Sequence, residues 1–362
     1  MIQLQNRKMP SIRTAYGYLA LSCLLTLLFG LQPTAMLTAF LAISFAAAGV
    51  LSIPRMTYLK VLLYLIPMGA IPTAAVYFLT RSPYFCLATI AVVPATALLV
   101  LTIRKRYSRS LGILLSTVAL CTILLAALLW WLHETKGGLS VQLFLDYYHK
   151  DAELFIERMT ALMDTGNSAL LMSPTNPAED AAILHKQFFS LLPSLFILVI
   201  WVGVWLSTVI IRWIFMGYVY GSDRFANWTV TSNRPLAWIY IGSFLAAFLM
   251  SAFAGNQVFF IIAAVCNNLY VILLPTFLII GCRTVKERML RVPGCGCMTL
   301  LTLLMCLFAF SMLPTLLAMT GAFRTISPEQ FILRSVKSKQ NTDPSDSSDD
   351  SDNPTDQGGN DS

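Results

Sequence analysis

The sequence predicts an all-α fold, a polytopic transmembrane helical bundle of about nine spans, each a helix of roughly 20 residues crossing about 30 Å of hydrocarbon. An extracytoplasmic amphipathic helix completes it. Three observations carry this prediction. Of 362 residues, 57% are hydrophobic and 12% charged, with a mean hydropathy of +0.69, whereas soluble domains are about 25% charged. Apolar runs of membrane length recur as far as residue 321. Lys and Arg gather in short loops between such runs, as cytoplasmic loops do. The chain divides into a basic N-terminal segment (1–13), one transmembrane domain (14–321) and a C-terminal tail (322–362), disordered and acidic from residue 341 on.

Charge placement excludes several function classes. Among the eighteen acidic residues, only Asp223, Glu287 and Glu329 lie outside the 133–187 segment and the tail after residue 340, and each stands beside a span end. No span carries a carboxylate, the group with which ion-coupled pumps relay protons or bind sodium within the membrane. The net charge of +7 hides a body (residues 1–340) at 7 + 7 = +14, because residues 341–362 hold seven Asp and no Lys or Arg. Basic clusters flanking spans suit an anionic inner leaflet rather than nucleic acid. The expected location is the cell membrane, multi-pass, with a cytoplasmic N-terminus. Most of the eight cysteines sit singly in apolar runs, and the one-residue gap of Cys295 and Cys297 is not a zinc or redox spacing. No metal site and no cofactor are expected.

Span one, 15–31, follows Arg7, Lys8 and Arg13 without a signal-peptide cleavage pattern, and is read as uncleaved. Span two, 34–53, carries Ala35, Ala39, Ala42 and Ala46 at spacings of three and four, a small face for close helix packing or for a partner subunit. Spans three (58–79, with Pro67 and Pro72) and four (83–103, with Pro94) contain helix-kinking prolines. Arg104, Lys105, Arg106 and Arg109 mark a cytoplasmic loop, and span five, 111–132, ends at the interfacial Trp130 and Trp131.

The 133–187 segment holds eight acidic residues and reads as an extracytoplasmic loop. Within it Val141, Phe144, Tyr148, Ala152, Phe155, Met159 and Leu162 form one helical stripe opposite Asp146, Lys150, Glu153 and Glu157, an amphipathic helix that lies on the membrane, caps the bundle or meets a partner. His133, His149 and His185 lack metal spacing and read as surface residues. Span six is 188–211, with Arg212 at its cytoplasmic end. Span seven, 236–254, repeats small residues at Gly242, Ala246, Ala247 and Ser251, which predicts close packing on span eight. Span eight is 255–281, followed by Arg283, Lys286, Arg288 and Arg291; span nine is 298–321. Nine crossings from an inside N-terminus place the tail outside, against the pull of Arg324, Arg334, Lys337 and Lys339.

Span eight carries the candidate site. Asn267 and Asn268 fall near its middle, where an unpaired amide costs free energy and must face helices, water or a ligand. At 3.6 residues per turn, Asn256, Phe260, Ala263, Tyr270, Leu274 and Gly281 share the face of Asn267. That makes Asn256, Asn267, Asn268 and Tyr270 the candidate ligand-binding residues, on a helix expected to be interior. The competing reading of the pair is hydrogen-bond glue between helices.

From Leu192 onward the chain resembles the bacterial YybS-like family of polytopic membrane proteins. The resemblance rests on Leu191, Leu192, Pro193 and Ser194 opening span six, on Trp228, Val230, Arg234 and Pro235, on the Asn-bearing span ending at Gly281, and on Gly321, Phe323 and Arg334. Where family members carry an acidic residue after the last span's glycine, this chain has Arg324. The family is distantly similar to substrate-binding components of energy-coupling-factor transporters, which implies a ligand-capturing bundle working with a separate ATPase.

No phosphate-binding glycine loop, zinc-protease helix or nucleophile elbow occurs, so no catalytic residue is assigned and an enzyme is not expected. Two function classes remain: a small-molecule-binding or transport-related bundle, or a membrane scaffold or regulatory partner of a cell-envelope complex. The partners implied are the lipid bilayer and either a small-molecule ligand or another membrane protein.

Overall fold

A computed structural model describes residues 10–32, 34–53, 58–136, 141–164, 177–216, 218, 225, 228–251, 257–289 and 313–327. These residues form α1 (Ile12–Leu31), α2 (Met36–Ser52), α3 (Tyr58–Thr80), α4 (Pro83–Ile90), α5 (Val92–Arg104), α6 (Arg109–Lys136), α7 (Val141–Asp164), α8 (Pro177–Phe215), α9 (Arg234–Ser251), α10 (Gln257–Met289) and α11 (Leu313–Ile326), with no strand among them. The helices stop where chain chemistry says they should. Ser11 caps α1 by accepting from the Thr14 N–H at 3.2 Å. The α4/α5 break at Ala91 lies next to Ile90, whose carbonyl the ring of Pro94 displaces from a helical rung. Arg81 and Arg106, at φ 52° and 58°, turn the chain between α3 and α4 and between α5 and α6.

Among the described residues, six helical segments are long and apolar enough to cross a membrane, and Met36–Ser52 and Arg234–Met250 are shorter apolar helices. With α4 and α5 counted as one broken span, the apolar helices alternate in direction through α10. Ser22 of α1 donates to the Ala42 carbonyl of α2 at 2.7 Å, and Arg104 at the end of α5 donates to the Val50 carbonyl at 3.2 Å. Ser116 of α6 reaches back to the Ala95 carbonyl of α5 at 3.0 Å. One end of the bundle therefore collects Arg13, Arg104, Arg109, Arg212 and Arg234. The other end carries Trp130, Trp131 and α7.

α2 is the interior helix. Ala39, Ala42 and Ala46 are buried along with most of its length, and their small size lets α1, α5 and α8 approach. Ser207 of α8 donates to the Phe40 carbonyl at 2.8 Å, and Gly203 faces the Phe40 ring so closely that a Cβ there would overlap it. The alanine face of span two is thus consumed by packing within the chain, not by a partner subunit.

The amphipathic helix expected within 133–187 is present as α7, and α8 begins at Pro177, so the sixth span, whose apolar window starts at Phe188, carries an extension before it. Three expectations are corrected. His185 is not a surface residue but 2% exposed. Its Nε2 lies 3.2 Å from Asp151 Oδ2, and its ring packs among Tyr148, Phe155 and Phe189, which clamps α7 onto α8. Span eight is not interior, since only 6% of its apolar window is buried. Finally, span seven does pack on span eight as expected, but Gly242 takes no part in that interface: a Cβ there would meet nothing within 4 Å, and Ala237, Tyr240 and Ser243 face inward instead.

The ninth span is not confirmed. Residues 290–312 lie outside the described residues, and α11 runs parallel to α10 rather than antiparallel. Tyr270 bonds Thr315 at 2.8 Å in the first turn of α11, Gly281 meets Gly321 further along, and Glu287 binds Arg324 at 2.7 Å near the ends of both helices. Since α10 also runs parallel to α8, with Lys186 over the Phe260 ring and Asn268 at Ser190 and Ser194, α8, α10 and α11 all end at the basic face.

Candidate functional site

Among the described residues, the buried apolar side chains fall into two clusters. The larger joins α1 to α6 with α8; the smaller is Ala237, Tyr240, Phe277, Ala318 and Ala322, from α9, α10 and α11. The candidate amides lie on the seam between them, where α10 meets α8.

Asn268 crosses this seam. Its Nδ2 donates to the Ser190 carbonyl at 2.7 Å and to the Ala264 carbonyl of its own helix at 2.8 Å, while its Oδ1 accepts from the Ser194 N–H at 3.2 Å. Residues 190 and 194 stand in the i, i+4 relation that an α-helix ordinarily joins directly. The carboxamide is therefore set across one rung of α8, beside Pro193, where a side chain entering the ladder relieves a proline-strained turn. Both donors and the acceptor of Asn268 are engaged, two of the three bonds joining α10 to α8.

Tyr270 is likewise occupied. It stacks on Tyr240 at 5.3 Å, meets Phe244 at 5.3 Å, and bonds the Thr315 hydroxyl. Asn256 lies outside the described residues. Asn267 differs from Asn268 and Tyr270: half-buried at mid-span, it forms no hydrogen bond among the described residues. At about 100° per residue, Ala264 and Asn268 turn one way toward α8, Tyr270 and Phe277 turn the other way toward α9 and α11, and Asn267 lies between. Its amide addresses the seam itself. The sequence pattern thus brought Asn267, Asn268 and Tyr270 to one region but could not separate the two structural members from Asn267, which makes no hydrogen bond among the described residues.

One residue with a charged role was missed. Arg109 looked like one of four equivalent loop cations, yet it is 7% exposed and its Nε donates to Thr208 Oγ1 at 2.8 Å. The available signal was its place at the first turn of a span rather than in the loop proper. Among the described residues, no group of three or more His, Cys, Asp or Glu residues is arranged to hold a metal ion.

An all-helical apolar bundle with a polar seam and one basic end defines a helical membrane protein. Compared with family models, curated proteins and solved structures, the chain matches none.

Proposed function

We propose that this protein is a non-catalytic, small-molecule-binding or transport-related membrane bundle, whose ligand is held at the seam between the two helix clusters. The observation that carries this reading is Asn267. A carboxamide at mid-span with no hydrogen bond among the described residues is unfavourable in an apolar setting, and Asn268 and Tyr270, to either side of it on the helix surface, are engaged. A polar ligand group would satisfy it. In this reading eight helices cross the membrane, with the N-terminus in the cytoplasm and α7 as an outer cap.

Membership in the YybS-like family is part of the proposal. It is supported by where the resembling residues fall: Ser194 binds Asn268, Trp228 is buried under Arg109, and Gly281 meets Gly321. The departure at Arg324 has a local explanation, since Glu287 on the facing helix supplies its carboxylate.

The test is a thermal-shift screen of the purified full chain against vitamins, metal ions and small polar metabolites, run in parallel on Asn267→Leu. The expected result is a compound that raises the Tm of the wild type and not of the variant, with both melting alike when unliganded. A panel without any stabilising compound argues against the reading. One observation favours the alternative, a scaffold or regulatory partner: Gly242 faces outward with open space above it, so α9 presents a small surface on which another helix can pack. In-cell crosslinking from α9 that recovers a defined membrane neighbour would select that alternative.

A further inference from the structure

We infer that the basic face holds a built site for a phosphate-bearing anion, formed by Arg109 and Arg212 with the indole N–H of Trp228. The site is remote from Asn267 and independent of it.

Arg109 is the buried cation of this cluster. Its Nε donates to Thr208, its guanidinium lies 5.4 Å from the centre of the Trp228 ring, and its Nη2 is buried without a hydrogen-bond partner among the described residues. Arg212 stands one helical turn beyond Thr208, the residue that Arg109 binds, on the same face of α8. The two cations thus reinforce each other's need for an anion. Among the described residues no carboxylate pairs with either. A hydroxyl and an aromatic face do not neutralise a buried guanidinium, and burying an unpaired charge is strongly unfavourable.

The unpartnered donors at this end are alike in chemistry. Trp228 is buried and its Nε1 is unpartnered. Ser232, next to the Thr231 whose N–H donates to Ser110 Oγ at 2.8 Å, has a buried hydroxyl that is also unpartnered. Guanidinium forks and N–H donors without a carboxylate match the tetrahedral oxygens of a phosphate. The depth points to the source. Tyr107 and Trp213 are exposed at this end, as aromatic rings are at headgroup level, and basic pockets between helices on the cytoplasmic side bind phospholipid headgroups. A free phosphate has the same chemistry.

The full-length protein in maltoside micelles, which carry no phosphate, is titrated with two probes, phosphatidylglycerol mixed into the micelle and inorganic phosphate in solution, while Tm is followed. Wild type is compared with Arg109→Lys, which keeps the charge but loses the fork, with Arg212→Gln at the half-buried position, and with Arg13→Gln, an exposed cation of the same face. Stabilisation of the wild type is expected, with apparent affinity lowered about tenfold in the Arg109 and Arg212 variants, the loss for one charge-assisted hydrogen bond. Arg13→Gln is expected to respond as wild type. A response to phosphatidylglycerol alone identifies a headgroup site; a response to inorganic phosphate identifies a soluble ligand. No stabilisation by either probe, or a loss no larger in Arg212→Gln than in Arg13→Gln, overturns the proposal.

Discussion

At the scale of single residues, the two adjacent asparagines have opposite roles, and substitution separates them. Asn268→Leu removes three hydrogen bonds and leaves the Ser190 carbonyl and Ser194 N–H facing an apolar side chain beside Pro193. Interhelical polar contacts in membranes contribute about 0.6 kcal/mol each and rarely above about 2. The expected outcome is a lower Tm in thermal unfolding of the purified protein, corresponding to a loss of about 1–2 kcal/mol. Asn267→Leu breaks no hydrogen bond among the described residues, so its unliganded Tm should stay within about 0.5 kcal/mol of wild type. Equal destabilisation by the two variants would remove the distinction. The sequence located the pair because amides at mid-span stand out against an apolar background. It could not assign the roles, because which of two neighbours meets α8 depends on helix rotation, and rotation is set by packing partners far away in the chain.

At the scale of elements, glycines report which helix pairs touch backbone to backbone. A Cβ on Gly281 would overlap the Leu317 carbonyl, and one on Gly321 would overlap the Phe277 carbonyl, so neither side can yield by rotating a side chain. Gly281→Ala or Gly321→Ala should force α10 and α11 apart, with a loss of about 1–3 kcal/mol typical of overpacking. Gly242→Ala should be neutral or slightly stabilising, because its Cβ enters open space and alanine favours a helix. Comparing the melting temperatures of the three variants checks the assignment; destabilisation by Gly242→Ala as large as by Gly281→Ala would contradict it. The same contrast explains what was legible. Hydropathy and proline placement mark where helices begin, break and end, and the α7 stripe was readable as an amphipathic helix. Small-residue stripes on spans two and seven look alike in sequence, yet Ala39, Ala42 and Ala46 are buried while Gly242 is exposed. A stripe shows only that close approach is sterically allowed.

At the scale of the whole molecule, the direction of α11 sets which face its end at Ile326 reaches. Charge counting left a conflict, since nine alternating crossings put the tail outside while its basic residues favour the inside. In the proposed reading of eight crossings, the pairing of α10 with α11 removes it. Three contacts, Tyr270 with Thr315, Gly281 with Gly321 and Glu287 with Arg324, advance together along both helices, so Ile326 reaches the membrane face that Met289 reaches. Arg324 then joins Arg283 at a shared carboxylate, where Glu287 lies 2.8 Å from Arg283 and 2.7 Å from Arg324. Hydropathy could not show this, because it measures whether a run fits the hydrocarbon and not the direction in which the run traverses it. The expected outcome is that a compartment reporter fused after Ser327 reads cytoplasmic, as does one fused before Ile12, whereas a reporter fused after Lys136 reads extracytoplasmic. Opposite readings at the two chain ends would show that α11 runs antiparallel to α10 in the membrane, and the glycine contact between them would then have to be abandoned as well.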